Sequence, residues 1–107
     1  MYNDAISDYS KTIEIDPRNA YAYYNRGISY DKMGDYNLAI KDFARAIELD
    51  QTKADFYHNR GFAMKKKNLI QEAIQDFTEC LRLDKKHFKA YYNRANCYEK
   101  LGELESA

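Results

Sequence analysis

The chain has no tryptophan, a single proline, four glycines and two cysteines in 107 residues, and its 17 basic and 17 acidic side chains leave no net charge. Each shortage excludes something. Without a net field there is little to draw the chain to a phosphate backbone or an anionic membrane surface, so nucleic acid and membrane are not the expected partners. No apolar run approaches the roughly 20 residues of a spanning helix, and "MYNDAISDYS" has neither the basic start nor the apolar stretch of a signal peptide. A soluble, cytoplasmic protein is the expectation. Two cysteines, Cys80 and Cys97, are too few for a disulfide framework and are read as reduced. Sparse glycine and proline mean long regular elements with few turns.

Catalytic signatures are missing too. His58 and His87 stand 29 residues apart without the cysteine or carboxylate spacing of a zinc site. No glycine loop could cradle a phosphate, the serines lack a nucleophile-elbow context, and Cys97 in "NRANCY" reads as a small residue between helices. The chain is expected to be no enzyme and to need no cofactor and no metal.

What is present is repetition. "YYNRG" at Tyr23–Gly27 returns as "YHNRG" at Tyr57–Gly61 and "YYNRA" at Tyr91–Ala95, so Asn25, Asn59 and Asn93 are spaced by 34 residues. In that register the chain divides into a half unit (1–19), two complete units (20–53 and 54–87) and a second half unit (88–107). Tyr23, Gly27 and Tyr30 fall on one helical face, and Ala39, Ile40, Phe43, Ala46 and Ile47 form an apolar helical stripe. Gly34 between them suits the left-handed conformation that closes a helix, and Asn68 stands at the same place in the next unit. Each unit is therefore predicted to be two helices and a tight turn, with Gly27, Gly61 and Ala95 allowing close crossing. The first half unit matches a second helix ended before Pro17, and the last matches a first helix with its turn at Gly102. Tyr23, Tyr57 and Tyr91 are expected in the core. A helix pair cannot bury its stripe alone, so units must stack.

Period, residue types and helix boundaries together resemble the tetratricopeptide repeat family, through Tyr23, Gly27, Tyr30, Ala39 and Phe43 in one unit and Tyr57, Gly61, Ala73 and Phe77 in the next, over essentially the whole chain. Arg26, Arg60 and Arg94 replace the family's usual leucine, and Gln51 and Lys85 its closing proline. The arginine stems are expected to lie on apolar surface with wet heads. The resemblance implies an all-α, right-handed superhelix of antiparallel helix pairs, about two full and two half repeats, that binds a peptide or partner helix in a concave groove lined by first helices. It places Tyr24, Asn25, Ile28, His58, Asn59, Phe62, Lys89, Tyr92, Asn93 and Asn96 in that groove.

Two readings of the asparagines stand side by side. An amide carries the donor and the acceptor that a peptide bond presents, so a ladder of three could hold an extended peptide by its backbone; alternatively each Asn bridges to a neighbouring helix and fixes the stacking. Across the groove positions, Lys32, Lys65, Lys66, Lys89 and Lys100 outnumber Asp31, Asp55 and Glu99, a mild preference for acidic partners. The carboxylate clamp of the family's chaperone-binding members is matched only at Asn59 and Lys89, so a chaperone C-terminus is not the expected ligand. The chain opens on a second helix and closes on a first. Either it is an excerpt of a longer array, or copies self-associate head to tail as a structural scaffold.

Overall fold

The computed structural model describes the backbone of residues 1–106 and the side chains of residues 1–103. Six helices follow in order: α1 (Tyr2–Ile15), α2 (Ala20–Lys32), α3 (Tyr36–Leu49), α4 (Ala54–Lys66), α5 (Ile70–Leu83) and α6 (Phe88–Ser106). They form two compact units, α1–α3 within Met1–Thr52 and α4–α6 from Lys53 onward.

Capping decides where the helices begin and end. Asn19 accepts a hydrogen bond from the Ala22 amide at the start of α2, and Asp35 one from the Leu38 amide at the start of α3. Between α2 and α3, Gly34 takes φ +82°, with its amide on Asp31 O and the Asp35 amide on Tyr30 O. Asn68 takes φ 67° and repeats both bonds, from its own amide to Lys65 O and from the Leu69 amide to Met64 O. The second helices stop at Asp16, Asp50 and Asp84. Each of these carboxylates accepts from the amide two residues on, at Arg18, Thr52 and Lys86. The side-chain turn is available whether proline, glutamine or lysine comes next, which accounts for the dispensability of the closing proline.

The predicted stripe on the second helices is the core. Ala39, Phe43, Ala46 and Ile47 are buried in the first unit, and Ala73, Phe77, Cys80 and Leu81 in the second. Gly27 and Gly61 face the phenylalanines so closely that an added Cβ would lie 2.7 Å from Phe43 Cε1 or 3.0 Å from Phe77 Cε1.

The first helices differ from expectation. Their deepest residues are Ala22, Phe56 and Ala90, together with Ser29, Ala63 and Cys97, rather than the tyrosines. Tyr23 and Tyr57 are half-buried and Tyr91 is 48% exposed. The rings lie at the edge of the interface, flanked by Arg26, Arg60 and Arg94 with guanidinium carbons 5.7–5.9 Å from the ring centroids. Tyr91 is the most open because no described helix covers α6 as α3 covers α2. Gly102, expected to turn, lies inside α6 instead. Glycine tolerates a helix interior at about 1 kcal/mol, and within the described residues no following helix folds back over it to favour the turn.

Candidate functional site

Two of the three arginine heads, Arg26 and Arg60, are held by carboxylates rather than left to water, contrary to expectation. Arg26 Nε and Nη2 grip Asp42 Oδ2 and Oδ1, each at 2.8 Å, and Arg60 grips Asp76 with the same two distances. Asp42 and Asp76 are 4% and 6% exposed, so nearly desolvated carboxylates meet arginines that keep about a fifth of their surface in water, in planar, two-pronged pairs joining first helix to second. Their hydrogen bonds hold both arginine pKa values above the ordinary arginine range. The sequence carried the signal: Arg26, Arg60 and Arg94 recur at 34 residues, as do Asp8, Asp42 and Asp76.

In the first unit, Tyr24, Asn25 and Ile28 are half-buried along α2. Tyr24 meets Tyr21 edge-on at 6.4 Å between centroids and Phe43 at 5.8 Å, so its ring is seated against the core. A shallow cavity of about 340 Å³ in the same unit is lined by Tyr23, Arg26, Asp42 and Arg45, and none of the residues assigned to the groove lines it.

The second unit gathers more of the predicted residues. His58 on α4 stands between two asparagines, with Nδ1 3.3 Å from Asn59 Oδ1 and Nε2 3.1 Å from Asn93 Nδ2. An amide nitrogen can only donate, so Nε2 accepts and the proton sits on Nδ1, which donates to Asn59. Burial, then the cost of placing a second positive charge beside the His87 ring, holds the His58 imidazole below its ordinary pKa and favours its neutral form. The His87 ring lies 4.7 Å from it. His87 Nδ1 accepts from the Ala90 amide and so caps α6, leaving Nε2–H to donate to Asp55 Oδ1 at 2.9 Å. Lys65 Nζ donates to Asn93 Oδ1 at 3.5 Å. Asn93 is thus 7% exposed with both ends of its amide engaged, the bridging reading of this residue.

Around that network, Phe62 is half-buried with Lys66 Nζ 4.4 Å above its ring, Lys89 is exposed, Tyr92 is 69% exposed and Asn96 is half-buried. The part of the arrangement missed in the sequence is His87 with Asp55. Its clue was position, since His87 recurs at the register of the capping residue Asn19. Nothing here resembles a nucleophile: burial pushes the Cys80 thiol up to about 12 and also raises that of Cys97. Among the described residues no three His, Cys, Asp or Glu side chains are grouped to hold a metal, and no helix is long and apolar enough to cross a membrane.

Antiparallel helix pairs recurring every 34 residues, locked by Arg–Asp pairs, define a helical-repeat protein. Family models described as "Tetratricopeptide repeat" match residues 20–53, 54–87 and 77–107, and one described as "TPR repeat" matches residues 1–34. The chain belongs to the tetratricopeptide repeat family. No curated protein sequence matches it significantly. Among solved structures it is similar to MamA, with TM-score 0.91 and 29% identity over 97% of this chain; it spans 61% of that chain's length. It is also similar to the second tetratricopeptide domain of human RPAP3 in complex with the HSP70 peptide SGPTIEEVD, with TM-score 0.87, 32% identity, and coverage of 91% of this chain and 81% of that one. The first such domain of Spaghetti (RPAP3), bound to the HSP90 peptide SRMEEVD, gives TM-score 0.93 at 27% identity, covering 94% and 80%.

Proposed function

We propose that the chain is a protein-interaction module that holds an extended, mildly acidic peptide on the face carried by α4 and α6. The observation that carries this reading is how the His58 network apportions that face. Asn93 is consumed internally, which fixes the α6 surface beside it, while Lys89 and Tyr92 remain open and Phe62 lies under Lys66. A rigid aromatic with two rotatable bonds, set among lysines, supplies contact area at low entropy cost together with a charge preference. Peptide complexes of similar domains, both with peptides ending in EEVD, support the ligand class. The face has only two of the five clamp positions, Asn59 and Lys89, so we assign it internal acidic segments rather than a chaperone C-terminus. In the first unit, Tyr24, Asn25 and Ile28 offer an independent patch at the same register.

A peptide array carrying acidic, neutral and basic ten-residue segments, with SRMEEVD and SGPTIEEVD included, tests the proposal. The chain should retain acidic segments, with Tyr92→Ala and Lys89→Glu each weakening capture about tenfold or more while far-ultraviolet dichroism stays unchanged. Equal capture by the parent and both variants would sink the assignment.

A further inference from the structure

In the His58 network each polar contact depends on where one proton sits. The ring is half-buried on α4 among Phe62, Phe77 and His87, with centroids 6.3, 5.7 and 4.7 Å away. Its Nδ1–H donates to Asn59 Oδ1 whether the ring is neutral or charged, so an added proton falls on Nε2. That atom is the one that accepts from Asn93 Nδ2 at 3.1 Å. Once protonated, it faces an amide N–H, and both groups are donors.

Asn93 has a simple remedy. Turning its amide half-way round exchanges oxygen for nitrogen within nearly the same volume, so the side chain, 7% exposed, keeps its place in the packing. Oδ1 then accepts from His58 Nε2–H. The same turn brings Nδ2 toward Lys65 Nζ, which in the neutral state donates to Asn93 Oδ1 at 3.5 Å, and again two donors oppose each other. Lys65 is released. Its ammonium, 5.8 Å from the Phe62 ring centroid, becomes available beside that of Lys66, which lies over the same ring.

The charges around the ring set where this happens. Asp55 on α4 favours the proton, His87 ahead of α6 and Lys89 on α6 oppose it, and α5 presents the uncharged Phe77 ring. Burial leads, so the ring takes its proton on the acid side of its ordinary 6.5. The first unit has no such device, because Tyr24 and Asp31 stand at the register of His58 and Lys65.

We propose that His58, Asn93 and Lys65 form a proton-operated switch that tightens the hold of the α4–α6 face on acidic peptides as pH falls. The ligand rests on the peptide reading proposed above, the switching on the hydrogen bonds themselves. Each switched molecule gains a charge at His58 and frees one at Lys65, both attractive to a carboxylate. By reciprocity, a bound acidic peptide raises the proton affinity of His58 by the same factor.

Anisotropy of a rhodamine-labelled, C-terminally amidated decapeptide of alternating glutamate and serine, titrated with the 107-residue chain at fixed ionic strength, reads the coupling. Affinity should rise about tenfold from about pH 7.5 to about pH 5.5, and His58→Gln and Lys65→Gln should each hold the rise to about twofold or less. His87→Asn, which installs the residue type that caps α2 from Asn19, should keep both the rise and the helicity while removing the second ring. Nitrogen-15 spectra of the free parent need no ligand: the Asn93 side-chain amide should shift with the same midpoint as the His58 ring. Equal affinity at both pH values, a rise that survives either glutamine variant or is lost with a folded His87→Asn, or an Asn93 amide indifferent to the His58 titration would each overturn the proposal. Binding at neither pH would sink the peptide reading instead, and the Asn93 resonance would then judge the switch by itself.

Discussion

The two units use one scaffold to present different surfaces. Both lock first helix to second with a buried Arg–Asp pair, Arg26–Asp42 and Arg60–Asp76, at the same 2.8 Å distances, and both press a phenylalanine against a glycine. They diverge one residue before the recurring asparagine, Asn25 or Asn59. Tyr24 in the first unit packs on Phe43 and Tyr21, whereas His58, its counterpart 34 residues on, is wired to Asn59, Asn93 and His87. What recurs is what joins the helices; what varies begins at the residue that lies against the core phenylalanine, Tyr24 on Phe43 and His58 on Phe77.

The largest expected effect removes the shared element. Phe43→Ala and Phe77→Ala should each cost about 3–5 kcal/mol, since both rings are buried to 1% exposure or less. Denaturant unfolding measures this, and a loss below about 1 kcal/mol in either unit would break the equivalence. Next, Asp42→Ala and Asp76→Ala should each cost about 2–3 kcal/mol, below the full figure for a buried pair because each arginine keeps about a fifth of its surface in water. Amide exchange resolved by residue should place each loss in its own unit.

The smallest effect should separate the units. His58 has a lowered pKa in the folded state, so below its ordinary value of 6.5 the unfolded chain binds the extra proton first, and stability falls as pH drops through that region. The groups facing the ring, namely His87, Asp55, Lys89 and Asn59, set the depth of the shift, with burial the leading cause. Acidification from pH 7.5 to 5.5 should lower amide protection, taken relative to the intrinsic exchange rate at each pH, in α4 and α6 more than in α2 and α3, and His58→Gln should flatten that difference. A uniform response in both units would remove His58 as its source.

How much of this was legible in the sequence follows from how each feature is written there. The helix pairs were legible because Gly34, Asn68 and the stripes from Ala39 and Ala73 are local patterns, readable within one turn or one helix. The burial of Ala22 and Phe56 rather than Tyr23 and Tyr57 was not, since a one-residue rotation about a helix axis is settled by the partner's shape. The Arg–Asp pairs escaped because their members lie sixteen residues apart on different helices, where no local pattern connects them. Gly102 misled because glycine permits both a turn and a helix, and only packing chooses. Asn59 and Asn93 stood out by their recurrence, but their shared partner His58 is next to Asn59 in sequence and on a different helix from Asn93, a link no repeat pattern writes.

The turns at Asp16, Asp50 and Asp84 carry a consequence for how such a chain can change. A single carboxylate bends the backbone at each of these places, although the next residue is Pro17, Gln51 or Lys85. The punctuation is therefore carried by one letter and is indifferent to its neighbour. A helix pair bounded by such aspartates behaves as a cassette: it can be duplicated, deleted or exchanged without redrafting the joint, so that selection is free to rewrite the exposed face one unit at a time.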